Sequence, residues 1–187
     1  MLSSTSVVCS TRPGRVGPAI ANWFHGFAQK HGKFEARLVD LADVNLPLLD
    51  EPHHPRLRQY TKEHTKRWSA TVDAADAFVF VTPEYNFSTP PALVNALDFV
   101  FHEWAYKPAA FVCYGGASGG LRSVQMTKLI VTTLKMMPMQ ETVALPFFSK
   151  HIEDGVFKGD EAHDKAATAM LDETLRWADA LKVLRAK

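Results

Sequence analysis

Pro83, Glu84, Tyr85 and Asn86 stand together in the run Thr82-Pro83-Glu84-Tyr85-Asn86, directly after the apolar stretch Ala77-Phe78-Val79-Phe80-Val81. A planar aromatic, a fixed proline ring, a carboxylate and an amide in one short loop suit a flat heteroaromatic ligand better than a metal or a phosphate. Pro83 restricts Thr82 to extended backbone, which ends the strand. Ser88-Thr89-Pro90-Pro91 then reads as a helix start, with Thr89 as N-cap and Pro90 at the first helical position. In an open α/β sheet, ligands bind where strands end and helices begin.

A second loop has the chemistry of an anion site. After Val7-Val8-Cys9 come Ser10-Thr11-Arg12-Pro13-Gly14-Arg15-Val16-Gly17-Pro18. The glycines let the backbone approach an anion, and a helix opening at Pro18 offers unpaired N–H groups with partial positive charge. Ser10 and Thr11 add hydroxyls, while Arg12 and Arg15 can add charge-assisted bonds to a phosphate. Neither a Walker loop nor a G-x-G-x-x-G fingerprint occurs.

The third loop is Tyr114-Gly115-Gly116-Ala117-Ser118-Gly119-Gly120-Leu121-Arg122. Its glycines permit positive φ angles and expose successive N–H donors. The same residues satisfy G-x-S-x-G, and Asp154 or Asp160 followed by His163 supplies the chain order of a serine hydrolase triad. That rival leaves the other two loops without a task. It also lacks an H-G-G-G-type oxyanion segment, and the chain is short for that fold.

These loops need a scaffold, and the pattern supplies one. Short strands at Val7–Cys9, Phe34–Val39, Ala77–Val81, Ala109–Tyr114 and Met139–Leu145 alternate with helical stripes. The stripes are Ile20, Trp23, Phe24 and Phe27; Leu57, Tyr60, His64, Trp68 and Val72; and Leu93, Ala96, Leu97, Val100 and Phe101. A helix from about Leu121 to Met136 and a last one through Ala166, Met170, Leu171, Leu175, Ala178 and Leu181 follow. Five strands alternating with five helices imply a parallel sheet with helices on both faces. No repeat or linker interrupts it, so one domain over residues 1–187 is expected.

The totals exclude several classes. The 187 residues are 47% hydrophobic and 22% charged, ordinary for a globular protein. A net charge of +1 speaks against nucleic acid or an anionic membrane as partner, and against a markedly acidic electron carrier. Cys9 and Cys113 are too few for a disulfide framework and read as buried thiols. No leader pattern or membrane-length apolar run is visible, so a cytoplasmic setting is expected. The histidines show no H-E-x-x-H or paired-cysteine spacing, His53-His54 reads as exposed, and no metal site is expected.

The three loops together resemble the NADPH-dependent FMN reductase family. Thr82–Asn86 matches the family's T-P-E-Y-N, Gly115–Arg122 is similar to its G-G-x-S-G-G-x-R, and Cys9-Ser10-Thr11-Arg12 resembles G-S-x-R with Cys9 in place of the glycine. Arg15 replaces a serine often found further along that loop, and Phe87 a smaller residue. The resemblance implies a flavodoxin-like three-layer sandwich with a five-stranded parallel sheet of order 2-1-3-4-5. By the same resemblance Ser10, Arg12, Arg15, Val16 and Gly17 hold the FMN phosphate, and Pro83, Glu84, Tyr85 and Asn86 line the ring. Gly115, Gly116, Ala117 and Ser118 meet its pyrimidine edge. The implied activity takes hydride from NADPH or NADH to FMN and on to a small-molecule electron acceptor: free flavin, a quinone, an azo compound or a metal oxyanion. The cofactor carries the chemistry, so no catalytic side chain is expected. Family members commonly dimerise, which makes a homodimer or higher homo-oligomer the implied assembly, with Pro146-Phe147-Phe148 and the last helix at its contact.

Overall fold

The computed structural model describes residues 1–185. Its elements run β1 (Leu2–Val8), α1 (Gly17–His31), β2 (Phe34–Asp40), α2 (Leu41–Val44), α3 (Glu63–Asp73), β3 (Ala77–Pro83) and α4 (Pro91–Asp98). They continue with β4 (Pro108–Gly115), α5 (Leu121–Thr133), β5 (Met137–Pro146), β6 (Ile152–Glu153), β7 (Val156–Phe157) and α6 (Glu161–Arg185). β1 to β5 form one sheet in the order β2-β1-β3-β4-β5, every pair parallel. This is the expected flavodoxin-like order.

Burial on both faces explains the unbroken apolar run of β3, all of whose residues are buried. Alternate residues serve opposite cores. Phe78 and Phe80 join Trp68, Trp104, Phe111 and Leu97 beneath α3, α4 and α5. Val79 and Val81 join Ile20, Phe24, Val112 and Met170 beneath α1 and α6. Both buried indoles find acceptors, since Trp68 Nε1 donates to Ala96 O at 2.8 Å and Trp104 Nε1 to Leu97 O at 3.1 Å.

Several boundaries differ from the sequence pattern, each for a physical reason. β1 begins at Leu2, so Ser3, Ser4, Thr5 and Ser6 are buried strand residues despite their polarity. Ser3 meets its needs from the segment before β3: its N–H donates to Asp76 Oδ2 at 2.9 Å and its hydroxyl to Ala74 O at 2.9 Å. Asp76 Oδ1 also accepts from Arg185 Nη2 at 2.7 Å, which clasps the last turn of α6 to the starts of β1 and β3. Leu57 lies in a 3-10 turn (Pro55–Leu57) and is exposed, because α3 begins only at Glu63. Val100 and Phe101 fall beyond the end of α4, and α5 stops at Thr133. The expected N-cap role of Thr89 is corrected. Pro90 occupies the N-cap, α4 begins at Pro91, and Thr89 Oγ1 instead accepts from Thr127 Oγ1 at 2.8 Å. The β6–β7 hairpin was not read from the sequence, although Asp154-Gly155, both at positive φ, is its signal.

Candidate functional site

The connections from the sheet start run from β1 to β2 on one side and on to β3 on the other, so the order reverses at β1. The crevice outside the carboxyl ends of β1, β3 and β4 is the position such folds reserve for ligands. A cleft of about 210 Å³ opens there. Arg12, Arg15, Val16, Pro83, Glu84, Tyr85, Gly115 and Gly116 line it, so the three loops singled out in the sequence do converge.

Tyr114 and Phe148 complete the wall; the sequence placed neither at the cofactor, and Phe148 only at the expected dimer contact. The Tyr114 ring packs edge-on to Phe148 at 5.2 Å between centroids. Tyr114 was legible only as the last bulky residue before the glycine loop, and Phe148 only as part of an apolar turn.

Behind the wall the first loop is tightly built. Tyr114 donates from its hydroxyl to Ser10 Oγ at 3.3 Å, and both side chains are buried. Gly17 leaves no room for a side chain unless its neighbours shift, because a Cβ there would stand 2.3 Å from Ser10 Oγ and 2.8 Å from the Tyr114 hydroxyl. Arg15 lines the cleft yet is partly committed: its Nη1 donates to Ser10 O at 2.9 Å and to Asp40 Oδ2 at 2.8 Å. Asp40 also accepts from Ala42 N and so caps α2. Arg12 is different. It is exposed, and its bond is to the neighbouring Pro13 O at 3.2 Å, which leaves its charge available.

Glu84 ties the second loop to the third. Its Oε2 accepts from Ser118 Oγ at 2.7 Å and Arg122 N at 3.1 Å, and its Oε1 from Arg122 Nη1 at 3.0 Å. Burial pushes this carboxyl up, but the bonds from Ser118 and Arg122 outweigh it and hold the pKa below the ordinary 4.5. The sign follows. A carboxyl depressed in the fold stabilises it above the unfolded pKa, and that stability is lost as pH falls through the lower folded value. Glu84→Gln should therefore lower the melting temperature at pH 7, and the gap to the parent should close on acidification below about pH 4.5. Thermal melts of both proteins from about pH 3 to about pH 7 would show a constant gap if the tie contributed nothing.

Asn86 is exposed and is not part of the cleft lining; it lies in a turn where Tyr85 and Ser88 exchange both backbone bonds at 3.0 and 2.9 Å. Asn86 and Phe87 both have positive φ, 50° and 65°. A bulky aromatic seldom adopts this conformation. Phe87 is held from outside, with the Arg122 guanidinium 4.1 Å from its ring centroid.

The third loop divides its glycines by task. Gly119 and Gly120 take positive φ, 62° and 89°, whereas Gly115 and Gly116 do not. At Gly116 an added Cβ would meet nothing within 4 Å. Among the described residues, no loop hydrogen bond uses the N–H groups of Gly116, Ala117 or Ser118. This is a backbone surface left bare toward open space. Ala117 is exposed at the tip, beside rather than in the cleft wall.

The hydrolase constellation does not assemble. Ser118 gives its proton to Glu84, while the His163 ring packs against Trp23 and Phe157 and its Nδ1 faces Asp160. Cys9 and Cys113 are buried thiols as expected. Burial pushes Cys113 up to about 12 and Cys9 well above its ordinary value, so neither is a thiolate at neutral pH.

A hollow of about 340 Å³ lies at the opposite end of the sheet, among Arg58, Glu103, Lys107 and Arg185. Its polar groups are spent on the protein itself: Glu103 accepts from Tyr60 and Ser69, and Lys107 donates to Val72 O and Asp73 O. It offers a ligand far less than the loop cleft.

Fold and cleft together define a flavodoxin-like protein with an open cleft at the switch point of its sheet. The profile of the NADPH-dependent FMN reductase family matches residues 5–150, and the chain belongs to that family. It is 32% identical over 189 residues to an NAD(P)H-dependent FMN reductase of a Nectria species, covering 95% of this chain and 94% of the other. It is 41% identical over 144 residues to an NAD(P)H-dependent FMN reductase of Schizosaccharomyces pombe, covering 75% and 72%. In fold it is similar to FerB, a flavoenzyme NAD(P)H:(acceptor) oxidoreductase from Paracoccus denitrificans, with TM-score 0.76, 20% identity, and 96% and 98% of the two chains covered. As a member of this family the protein is an oxidoreductase that uses FMN and NAD(P)H.

Proposed function

We propose that the protein reduces small-molecule acceptors at the three-loop cleft, with FMN held there and NADPH or NADH as electron donor. The observation that carries this reading is the order of chemistries along the cleft. An available cation at Arg12 beside the α1 N-terminus comes first, then the Pro83–Tyr85 wall, then the unused N–H groups after Gly115. These groups suit a phosphate, a flat ring and the carbonyls of that ring, in that sequence.

Ser10, Arg12, Arg15, Val16 and Gly17 would hold the phosphate, Pro83, Glu84, Tyr85 and Asn86 the ring, and Gly115, Gly116, Ala117 and Ser118 its pyrimidine edge. Bound FMN supplies the redox chemistry, accepting hydride from the nicotinamide and passing electrons to the second substrate. The chain's own work is to orient and to exclude. Phe148 and Tyr114 close one side against water, and the Glu84–Ser118–Arg122 tie fixes the spacing of two loops. Relatives whose names specify an acceptor name azo compounds and quinones, which supports flat aromatic acceptors for this cleft.

On this reading one domain of residues 1–187 acts within a reducing, cytoplasmic compartment, consistent with two buried free thiols. A homodimer or higher homo-oligomer fits the exposed Met126 and Leu129 on one face of α5 and the exposed Phe147. Among the described residues no helix is long and apolar enough to cross a membrane.

The purified protein should bind FMN at least about tenfold more tightly than riboflavin, the scale of one charge-assisted hydrogen bond. It should also oxidise NADPH in the presence of a quinone without a protein partner. Fluorescence titration with both flavins and a spectrophotometric NADPH assay test the two halves separately. Equal affinity for the two flavins would remove the phosphate assignment, and a flavin-free, inactive protein would remove the whole reading.

A further inference from the structure

The histidine spacing gives no sign of a metal site, yet the fold gathers His151, Asp160 and His163. One ligand atom of each lies within 4.8 Å of the others. His151 ends the 3-10 turn (Phe148–His151) that follows β5, Asp160 precedes α6, and His163 lies in the first turn of α6. The β6–β7 hairpin returns the chain to its starting point, and Lys158 N donates to His151 O at 2.8 Å. The hairpin between them thus brings three residues of one short stretch, 151 to 163, into one group of donors.

We propose that His151, Asp160 and His163 form a binding site for a divalent late first-row transition ion, with Zn²⁺ as its representative. Two imidazoles and one carboxylate suit Zn²⁺, Ni²⁺ or Cu²⁺, whereas Mg²⁺ and Ca²⁺ prefer oxygen ligands alone. The contacts of the His151 ring are aromatic, with Phe157 at 5.9 Å and His163 at 4.8 Å between centroids. A metal would take its nitrogen without breaking a side-chain hydrogen bond.

His163 is already oriented. Its Nδ1 lies 3.1 Å from Asp160 Oδ1 and 3.2 Å from Asp160 N. With the proton on Nε2, Nδ1 carries a lone pair directly beside Asp160 Oδ1, so imidazole and carboxylate can ligate one ion together. Without an ion the same lone pair accepts the Asp160 N–H and serves the helix cap. Trp23 and Phe157 wall the site on its inner side, with centroids 6.2 and 5.8 Å from His163, and Asp160 faces water.

The test is calorimetric titration of Zn²⁺ into the full chain as purified, at neutral pH in a non-chelating buffer. One saturable equivalent is expected. His151→Gln should weaken it tenfold or more, and Asp160→Asn, which removes the anionic ligand, should do the same. A double change of the exposed pair, His53→Gln with His54→Gln, should leave binding intact, and Zn²⁺ should raise the melting temperature of the parent but not of His151→Gln. His163→Gln also removes a helix cap and can fail for that reason. His151→Gln touches no side-chain hydrogen bond and keeps the test decisive. Absence of saturable binding, undiminished binding in His151→Gln, or loss of binding in the His53/His54 variant would each overturn the assignment.

Discussion

Gly120→Ala should be the most damaging single methyl in the chain. Gly120 has φ +89°, and a Cβ there would stand 2.6 Å from Tyr114 N, 2.9 Å from Tyr114 O and 2.9 Å from Cys113 Cβ. Those atoms belong to β4, a sheet strand buried on both faces, so the neighbour cannot swing aside as a long side chain would. Left-handed strain costs about 1–2 kcal/mol and overpacking about 1–3 kcal/mol more. For a chain of this length that lowers the melting temperature by roughly 5–20 °C. Gly116→Ala is the matched control. Its methyl meets open space and its φ is not positive, so the fold should melt as the parent does while flavin affinity drops. Circular dichroism melts of the two variants decide the matter, and similar melting temperatures would mean that the loop can relax around Gly120.

Gly17→Ala should strike the ligand rather than the fold. The added methyl would stand 2.3 Å from Ser10 Oγ, 2.8 Å from the Tyr114 hydroxyl and 3.2 Å from Val8 Cγ1. The Ser10 hydroxyl is the atom best able to move, and moving it breaks its bond from Tyr114 and turns it from the α1 N-terminus. FMN affinity should fall by about 1.5–3 kcal/mol, the scale of a hydrogen bond to a charged group, or roughly 10- to 150-fold. Riboflavin, which has no phosphate, should be bound almost as before. Parallel titrations with the two flavins read the difference. A parallel loss for both would show that Ser10 acts on the ring's side of the cleft or on the fold.

Much of this architecture was legible in the sequence because its signals are local. Ala77–Val81 could hardly be anything but a central strand, and each of the three loops announces itself by glycine, proline or aromatic content beside such a strand. The misreadings share a cause. Ser3 to Ser6 look like a polar tail, yet partners from the β3 start satisfy Ser3, and no window of sequence displays a partner more than 70 residues away. Leu57 was drawn into the α3 stripe by spacing alone, although the chain between them is irregular and Leu57 faces water. At the site, the residues hardest to read were those whose role lies in a cross-loop contact. Glu84 could be placed in a ligand loop, but not its commitment to Ser118 and Arg122. Arg15 could be named as a cation, but not its pairing with Asp40. Likewise the division of labour between Gly116 and Gly120 depends on backbone angles that four near-identical glycines do not advertise.

The clasp of Arg185 and Ser3 on Asp76 has a bearing on how this protein can be handled. Leu2 and Arg185 both lie at the amino ends of the parallel strands, and the cleft opens at their carboxyl ends. Anything joined to the chain beside Leu2 or Arg185 therefore departs from the pole opposite the cleft. An enzyme held to an electrode or bead at these positions would present its cleft outward to dissolved acceptors. A tether placed instead in the Asn86–Phe87 turn would turn the cleft toward the support.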